Sequence, residues 1–212
     1  MGRVGWRLVD EWDGGFGWAR DDRLQRTSHA LAVAGRAWLV DPVDEPDLEE
    51  DEPELEECVR SLGEPAGVLQ LLDRHERDCA VWARRLGVEH LRAWRSGGAP
   101  FEVLPVRDRR WWREVALWEP VGRTLVCADA LGTIPFFRAS GERVGLHPLI
   151  RPFPPRALRG LEPQRILVGH GEAVTDAAPE ALEDTLANAR RRLPGALRAA
   201  INAVRGGSGA ST

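Results

Sequence analysis

The chain has 212 residues, 43% of them hydrophobic and 29% charged, with a formal net charge of −4. That is enough to bury a full core in one domain, assigned here to residues 1–205 with a disordered tail over 206–212. The acidic balance leaves no footprint for nucleic acid or anionic lipid. No stretch reads as a secretory leader or as an apolar span, so a soluble cytoplasmic protein without a membrane or nucleic-acid partner is expected. Every basic residue is arginine, so each cation near a buried site is a planar, permanently charged guanidinium. Cys58, Cys79 and Cys127 are odd in number and form no CxxC pair, which argues against a zinc knuckle or dithiol motif and for small buried thiols in a reducing compartment.

In chain order, Trp6 to Val9 has strand character and Asp13-Gly14-Gly15 is a turn. Ser28–Ala34 and Arg36–Asp41 read as a hairpin about Gly35, closed by Asp41-Pro42, where proline removes a donor. Asp44–Glu57 is acidic, with Leu48, Leu55 and Val59 at helical spacing and Pro53 as an interruption, and is read as a solvated helix face. Val68–Leu72 is a short buried strand, followed by a helix from Arg77 to Leu86 that Gly87 closes. Val88–Leu91, Phe101–Val106, Glu114–Trp118, Arg123–Ala128 and Arg165–Val168 are further strands. Leu146–Leu158 is proline-broken and partly helical, while Pro179–Leu193 and Pro194–Val204 are helices.

Chemistry concentrates at three strand ends. Asp73-Arg74-His75-Glu76-Arg77-Asp78 crowds ionisable groups at a strand-to-helix junction; Asp129 follows Leu125–Ala128; His170 sits in Gly169-His170-Gly171. Strand ends of α/β sheets are where sites assemble. A structural reading competes locally: Asp73 with Glu76 fits a capping box, Asp129 can accept backbone N–H bonds, and His170 can be a satisfied histidine under a glycine turn. His29 and His90 read as packing or surface residues, and His147, ahead of Pro148, as a capping or exposed residue near the cleft. Trp111-Trp112 reads as core or interface rather than as a ligand wall.

The order of these segments resembles the metallo-β-lactamase superfamily. Trp38–Pro42 matches its strand ending in Asp-Pro, Asp73–Asp78 its His-x-His-x-Asp-His motif, Leu125–Leu131 its bridging-aspartate segment and Leu167–Gly171 its last histidine segment. The resemblance implies an α+β fold, a four-layer αββα sandwich, and a dinuclear metal site. The motif is altered here: the first histidine is Asp73, the aspartate is Arg77, the last histidine is Asp78, and Arg110 is the nearest match to the third metal-site histidine. His75, Asp129 and His170 match unchanged. A guanidinium where a metal-binding carboxylate belongs repels a dication. The expectation is a site rebuilt into a network of Asp73, His75, Arg77, Asp78, Arg110, Asp129 and His170, holding no metal, in a homologue that either binds an unidentified small molecule or is structural. The alternative is one zinc, manganese or iron ion on Asp73, His75, Asp129 and His170, with Asp129 and His170 as catalytic groups of an ester, thioester or phosphoester hydrolase.

Overall fold

The computed structural model of the chain describes residues 6–20, 22–43, 52–97 and 100–205; the tail assigned to 206–212 and the first part of the acidic segment lie outside these. Strands β1 (Trp6–Trp12), β2 (Gly15–Arg20), β3 (Thr27–Val33) and β4 (Arg36–Val40) form an antiparallel meander. Helix α1 (Glu52–Ser61) then crosses over to β5 (Glu64–Gln70), and α2 (Cys79–Leu86) to β6 (His90–Arg92), so β4, β5 and β6 run parallel. A parallel pair cannot be closed by a tight turn, which is why a helix follows each of these strands. Pro53 does not interrupt α1; it occupies the first turn, where a missing N–H costs nothing.

Strand alternation divides this sheet between two cores. Ala30, Leu39 and Val68 face Leu55 and Val59 of α1 and Trp82 of α2, whereas Leu31, Val40 and Leu69 face the second sheet. After a single helical turn, α3 (Ala93–Ser96), come β7 (Glu102–Arg109), β8 (Trp112–Glu119) and β9 (Thr124–Val126). A two-stranded ribbon of β10 (Leu131–Gly132) and β11 (Gly145–Leu146) precedes β12 (Arg165–Leu167), and the second sheet has the order β12-β9-β8-β7. Pro105 is accommodated because β7 is an edge strand whose register shifts between Pro105 and Arg107. Helix α4 (Ala178–Asn188) lays Leu182 and Leu186 against the core shared with Leu125 and Ile166, and α5 (Leu193–Arg205) follows it. The layers are therefore α, β, β, α, the arrangement the resemblance implies. No described helix is long and apolar enough to cross a membrane.

Three local expectations are corrected. The helix predicted from Arg77 begins at Cys79, because Arg77 has φ of 37° and cannot belong to an α-helix. The proline-broken stretch Leu146–Leu158, read as partly helical, opens on the last residue of β11 and is helical only in one short 3₁₀ turn, Arg156–Leu158. Cys58 is exposed, whereas Cys79 and Cys127 are buried as expected of small thiols.

Two parallel strand pairs position the site. The C-terminal ends of β4 and β5 deliver Asp41 and the 71–78 turn, and those of β9 and β12 deliver Asp129 and His170.

Candidate functional site

Asp41 leaves β4 with φ of 46°, which turns its carboxylate back under the end of β5. There Oδ1 accepts the Leu71 amide at 3.0 Å, and Oδ2 lies 3.2 Å from Nδ1 of His75. A carboxylate only accepts, so Nδ1 of His75 carries a proton, and its Nε2 is aimed at Asp129 Oδ1, 3.0 Å away. From the opposite sheet, His170 donates Nδ1–H to the Leu24 carbonyl at 2.6 Å, and its Nε2 lies 3.1 Å from the same Asp129 oxygen. Gly169 permits this approach: a Cβ there would stand 2.9 Å from the Ala128 carbonyl oxygen. Two imidazoles thus converge on one carboxylate oxygen, and the donor atoms of His75, Asp129 and His170 lie within 4.8 Å of one another.

Guanidinium groups flank this triad. Arg77 donates to the carbonyls of Thr27 at 3.2 Å and Asp41 at 3.0 Å, which fixes its other nitrogen, Nη2, 3.3 Å from His75 Nε2. The contact of His75 Nε2 with Asp129 is shorter and charge-assisted, so it governs the ring proton, and Arg77 stands beside an imidazolium. Burial and Arg77 push the His75 ring towards neutrality, but hydrogen bonds to Asp129 and Asp41 outweigh them and raise its pKa. Burial likewise pushes the Asp129 carboxyl up, and the hydrogen bonds of His170 and His75 overcome it and hold the group well below the usual carboxylate range. Arg74 completes the flank, 3.5 Å from Asp129 Oδ2 and stacked 4.7 Å from the centre of the Trp112 ring.

Behind the triad lies a second buried carboxyl. Glu114 accepts the Trp112 indole N–H at 2.7 Å and the Ala130 amide at 2.8 Å; burial, with the Asp129 charge nearby, pushes it up to about 8. An aromatic wall rises on the other side: Phe137 stacks on His170 at 5.5 Å, and His147 packs against Trp112 at 4.8 Å and Phe136 at 5.3 Å. Burial pushes the His147 ring down to about 4.

Of the residues assigned to the site from sequence, the structure brings His75, Arg77, Asp129 and His170 together. It does not bring in Asp73, Asp78 or Arg110. Asp73 is exposed and its amide pairs with the Arg113 carbonyl, so it neither ligates with His75 nor caps the next helix. Asp78 is the half-buried residue ahead of α2, and its side chain makes no capping hydrogen bond to that helix. Arg110 lies exposed in the β7–β8 turn. Nor does Arg77 bind its expected carboxylate partners; its hydrogen bonds among the described residues run to two carbonyls and a histidine. Asp41, Arg74, Glu114 and His147 are the residues that sequence reasoning did not place in the site. For Asp41 a signal existed, the Asp-Pro at a strand end. Trp112 is fully buried, as a core residue, and lies beneath the Arg74 guanidinium, while Trp111 is exposed. His29 is a packing residue, Nε2 donating to the Val168 carbonyl at 3.0 Å, and His90 bonds Gln70 at the sheet edge.

No family model and no curated protein matches the sequence. Solved structures do. The metallo-β-lactamase DIM-1 is similar over 91% of this chain and 99% of its own, with 15% identity and a TM-score of 0.56. FIM-1 from Pseudomonas aeruginosa, a metallo-β-lactamase in its mono-zinc form, covers 90% and is itself covered to 97%, with 12% identity and a TM-score of 0.56. The putative diflavin flavoprotein A 5 (fragment 1–254) from Nostoc sp. PCC 7120 covers 91% and is covered to 98%, with 11% identity and a TM-score of 0.58. At such identities the likeness speaks for fold alone, and the chain has the metallo-β-lactamase fold.

Proposed function

We propose that this chain is a divergent metallo-β-lactamase-fold protein that has exchanged the dinuclear zinc site for a histidine–aspartate–arginine network and binds a small molecule in the cleft above it without a metal. One observation carries the reading. Arg77, which stands at the motif's aspartate position, is anchored by two carbonyls with Nη2 3.3 Å from the nitrogen of His75 that would face a metal. A tethered guanidinium cannot swing aside cheaply, and a divalent ion on that nitrogen would meet its charge at short range. The donor set fits two ions poorly in any case, since Asp73 and Arg110 point into solvent and Asp78 sits at the start of α2. In the network reading, His75 and His170 supply the protons that Asp129 accepts, and the cleft presents Arg74 and the aromatic wall to a ligand. Metal analysis of protein purified without chelator tests this: no stoichiometric zinc, manganese or iron is expected, and a tightly held ion lost in His170→Ala would sink the reading.

A second reading is favoured by a different observation. Each imidazole has its Nδ1 tied to an outer acceptor, Asp41 or the Leu24 carbonyl, which is how metal-ligating histidines are oriented. His75, Asp129 and His170 would then hold one divalent ion, without Asp73, and that ion would supply Lewis-acid chemistry for ester, thioester or phosphoester hydrolysis. Metal-dependent turnover of an ester and phosphodiester panel, abolished by Asp129→Ala, would favour it; a flat response across metals and substrates leaves the network reading ahead.

A further inference from the structure

We propose that the tip of the β7–β8 hairpin is a binding surface for single-stranded nucleic acid. Pairing of Arg109 with Trp112 leaves Arg110 and Trp111 as a two-residue turn, so the run Arg107-Asp108-Arg109-Arg110-Trp111-Trp112-Arg113 is presented at one end of the second sheet. Four arginines stand in this run against one acidic residue, Asp108, which Arg113 holds at 3.1 Å. Arg109 and Arg110 are exposed and have no ionic partner among the described residues.

Aromatic rings are interleaved with these charges. Trp111 is 54% exposed; the Arg107 guanidinium stacks over it, 5.7 Å from the ring centre, and Trp112 packs against it edge-on at 6.0 Å. Trp112 in turn carries Arg74 at 4.7 Å, so a row of Arg107, Trp111, Trp112 and Arg74 runs from the turn to the carboxylate of Asp129. Nε of Arg107 is out of water with no hydrogen-bond partner among the described residues, so that guanidinium is held by the ring and not by a carboxylate. A flat exposed ring bordered by unpaired guanidiniums suits a single strand: bases of any sequence stack on the ring, and phosphates take the cations.

The net charge of −4 conceals this surface. Residues 44–57 hold ten acidic residues and no arginine, and the rest of the chain carries 29 arginines against 23 acidic residues. The acidic total, which speaks against a nucleic-acid partner, therefore describes one segment and not the hairpin. Other occupants fit less well. An acidic peptide would use the arginines and leave the exposed indole without a role, an anionic bilayer calls for a broader apolar face than one indole between charges, and a duplex keeps its base faces stacked on one another. The inference holds whether the cleft takes a small molecule or an ion.

The test is fluorescence anisotropy of the full chain with a labelled oligothymidylate of about 12 nucleotides at low salt. Binding is expected, with affinity falling against salt at a log–log slope of about −2, from ~0.7 for each phosphate that the net cations of the hairpin neutralise. Arg109→Gln combined with Arg110→Gln should reduce that slope to about −0.7. Trp111→Ala should weaken binding about tenfold and leave the slope as it was, while Trp111→Phe, which keeps a ring, should recover most of the loss. Removing two exposed arginines elsewhere, Arg198→Gln with Arg205→Gln on α5, should change affinity by less than about twofold. All these side chains are exposed, so the variants should keep the native urea midpoint. No binding by the native chain, equal binding of polyglutamate of the same length or of anionic vesicles, indifference to Trp111→Ala, or an equal loss in the α5 variant would each overturn the proposal.

Discussion

Replacing Arg77 with glutamine should raise zinc affinity above that of the native chain. Nη2 of Arg77 lies 3.3 Å from Nε2 of His75. A zinc ion ligated by that nitrogen sits ~2.1 Å from it, so ion and guanidinium nitrogen would be at most about 5.4 Å apart. At an effective dielectric near ~20, a dication and a unit charge at that range repel by roughly 6 kcal/mol. Halving this for the solvent that reaches a half-buried side chain leaves about 3 kcal/mol, or about two decades in affinity. Zinc titration against a competing chelator, with elemental analysis, should show Arg77→Gln binding zinc about 100-fold more tightly than the native chain. Adding His170→Ala to that variant should remove the gain. The glutamine forfeits bonds to the Thr27 and Asp41 carbonyls, so urea unfolding should register a loss of about 1–3 kcal/mol without unfolding the chain. Equal zinc affinity in the native chain and Arg77→Gln would refute the reasoning, because the guanidinium would then exclude nothing.

Glu142 and Arg151 form a fully buried pair at 2.6 Å, and Glu142→Gln should cost about 3–5 kcal/mol in chemical denaturation by leaving Arg151 buried with its charge uncompensated. Glu114 is held up to about 8 against an ordinary 4.5, so between those values the folded chain keeps a proton that the unfolded chain releases. Its contribution to stability therefore declines as pH rises from about 4.5 through 8, by on the order of a few kcal/mol; denaturation across that window should show a shallower decline in Glu114→Gln, and identical slopes would count against the assignment. Gly169→Ala should lose about 1–3 kcal/mol, because the new Cβ would push on the Ala128 backbone and part His170 from Asp129; an unchanged His170 imidazole resonance in that variant would contradict the close approach.

The layered fold was legible because each strand and helix carries its period in local sequence: β4 alternates Ala37 and Leu39 to the helices with Trp38 and Val40 to the second sheet, and α4 places Leu182 and Leu186 on one face. Asp129 and His170 were legible for a related reason, since each directly follows a strand of the second sheet. The 71–78 segment was not. Its side chains are aimed by Arg77's positive φ and by carbonyls some fifty and thirty-six residues away in sequence, and no spacing rule reports such contacts. That is why Asp73, read as a residual ligand, faces outward and Asp78, read as part of the network, lies at the helix start, while Arg74 reaches Asp129. His147 was obscured similarly: its neighbours Trp112 and Phe136 meet it through the β10–β11 ribbon, whose two-residue strands are too short to leave a period.

The buried Glu142–Arg151 pair also governs how the cleft can move. Arg151 donates to the carbonyls of Phe137 and Leu146, the first within the aromatic wall and the second adjoining His147. Both ends of that wall are thereby stapled to one charge that solvent does not reach. Local opening of the wall would expose or orphan this pair, so its amides should exchange with solvent on the timescale of global unfolding. If the proposed ligand site lies there, such a wall would select by shape already present, and the adjustable side would be the exposed arm of Arg74.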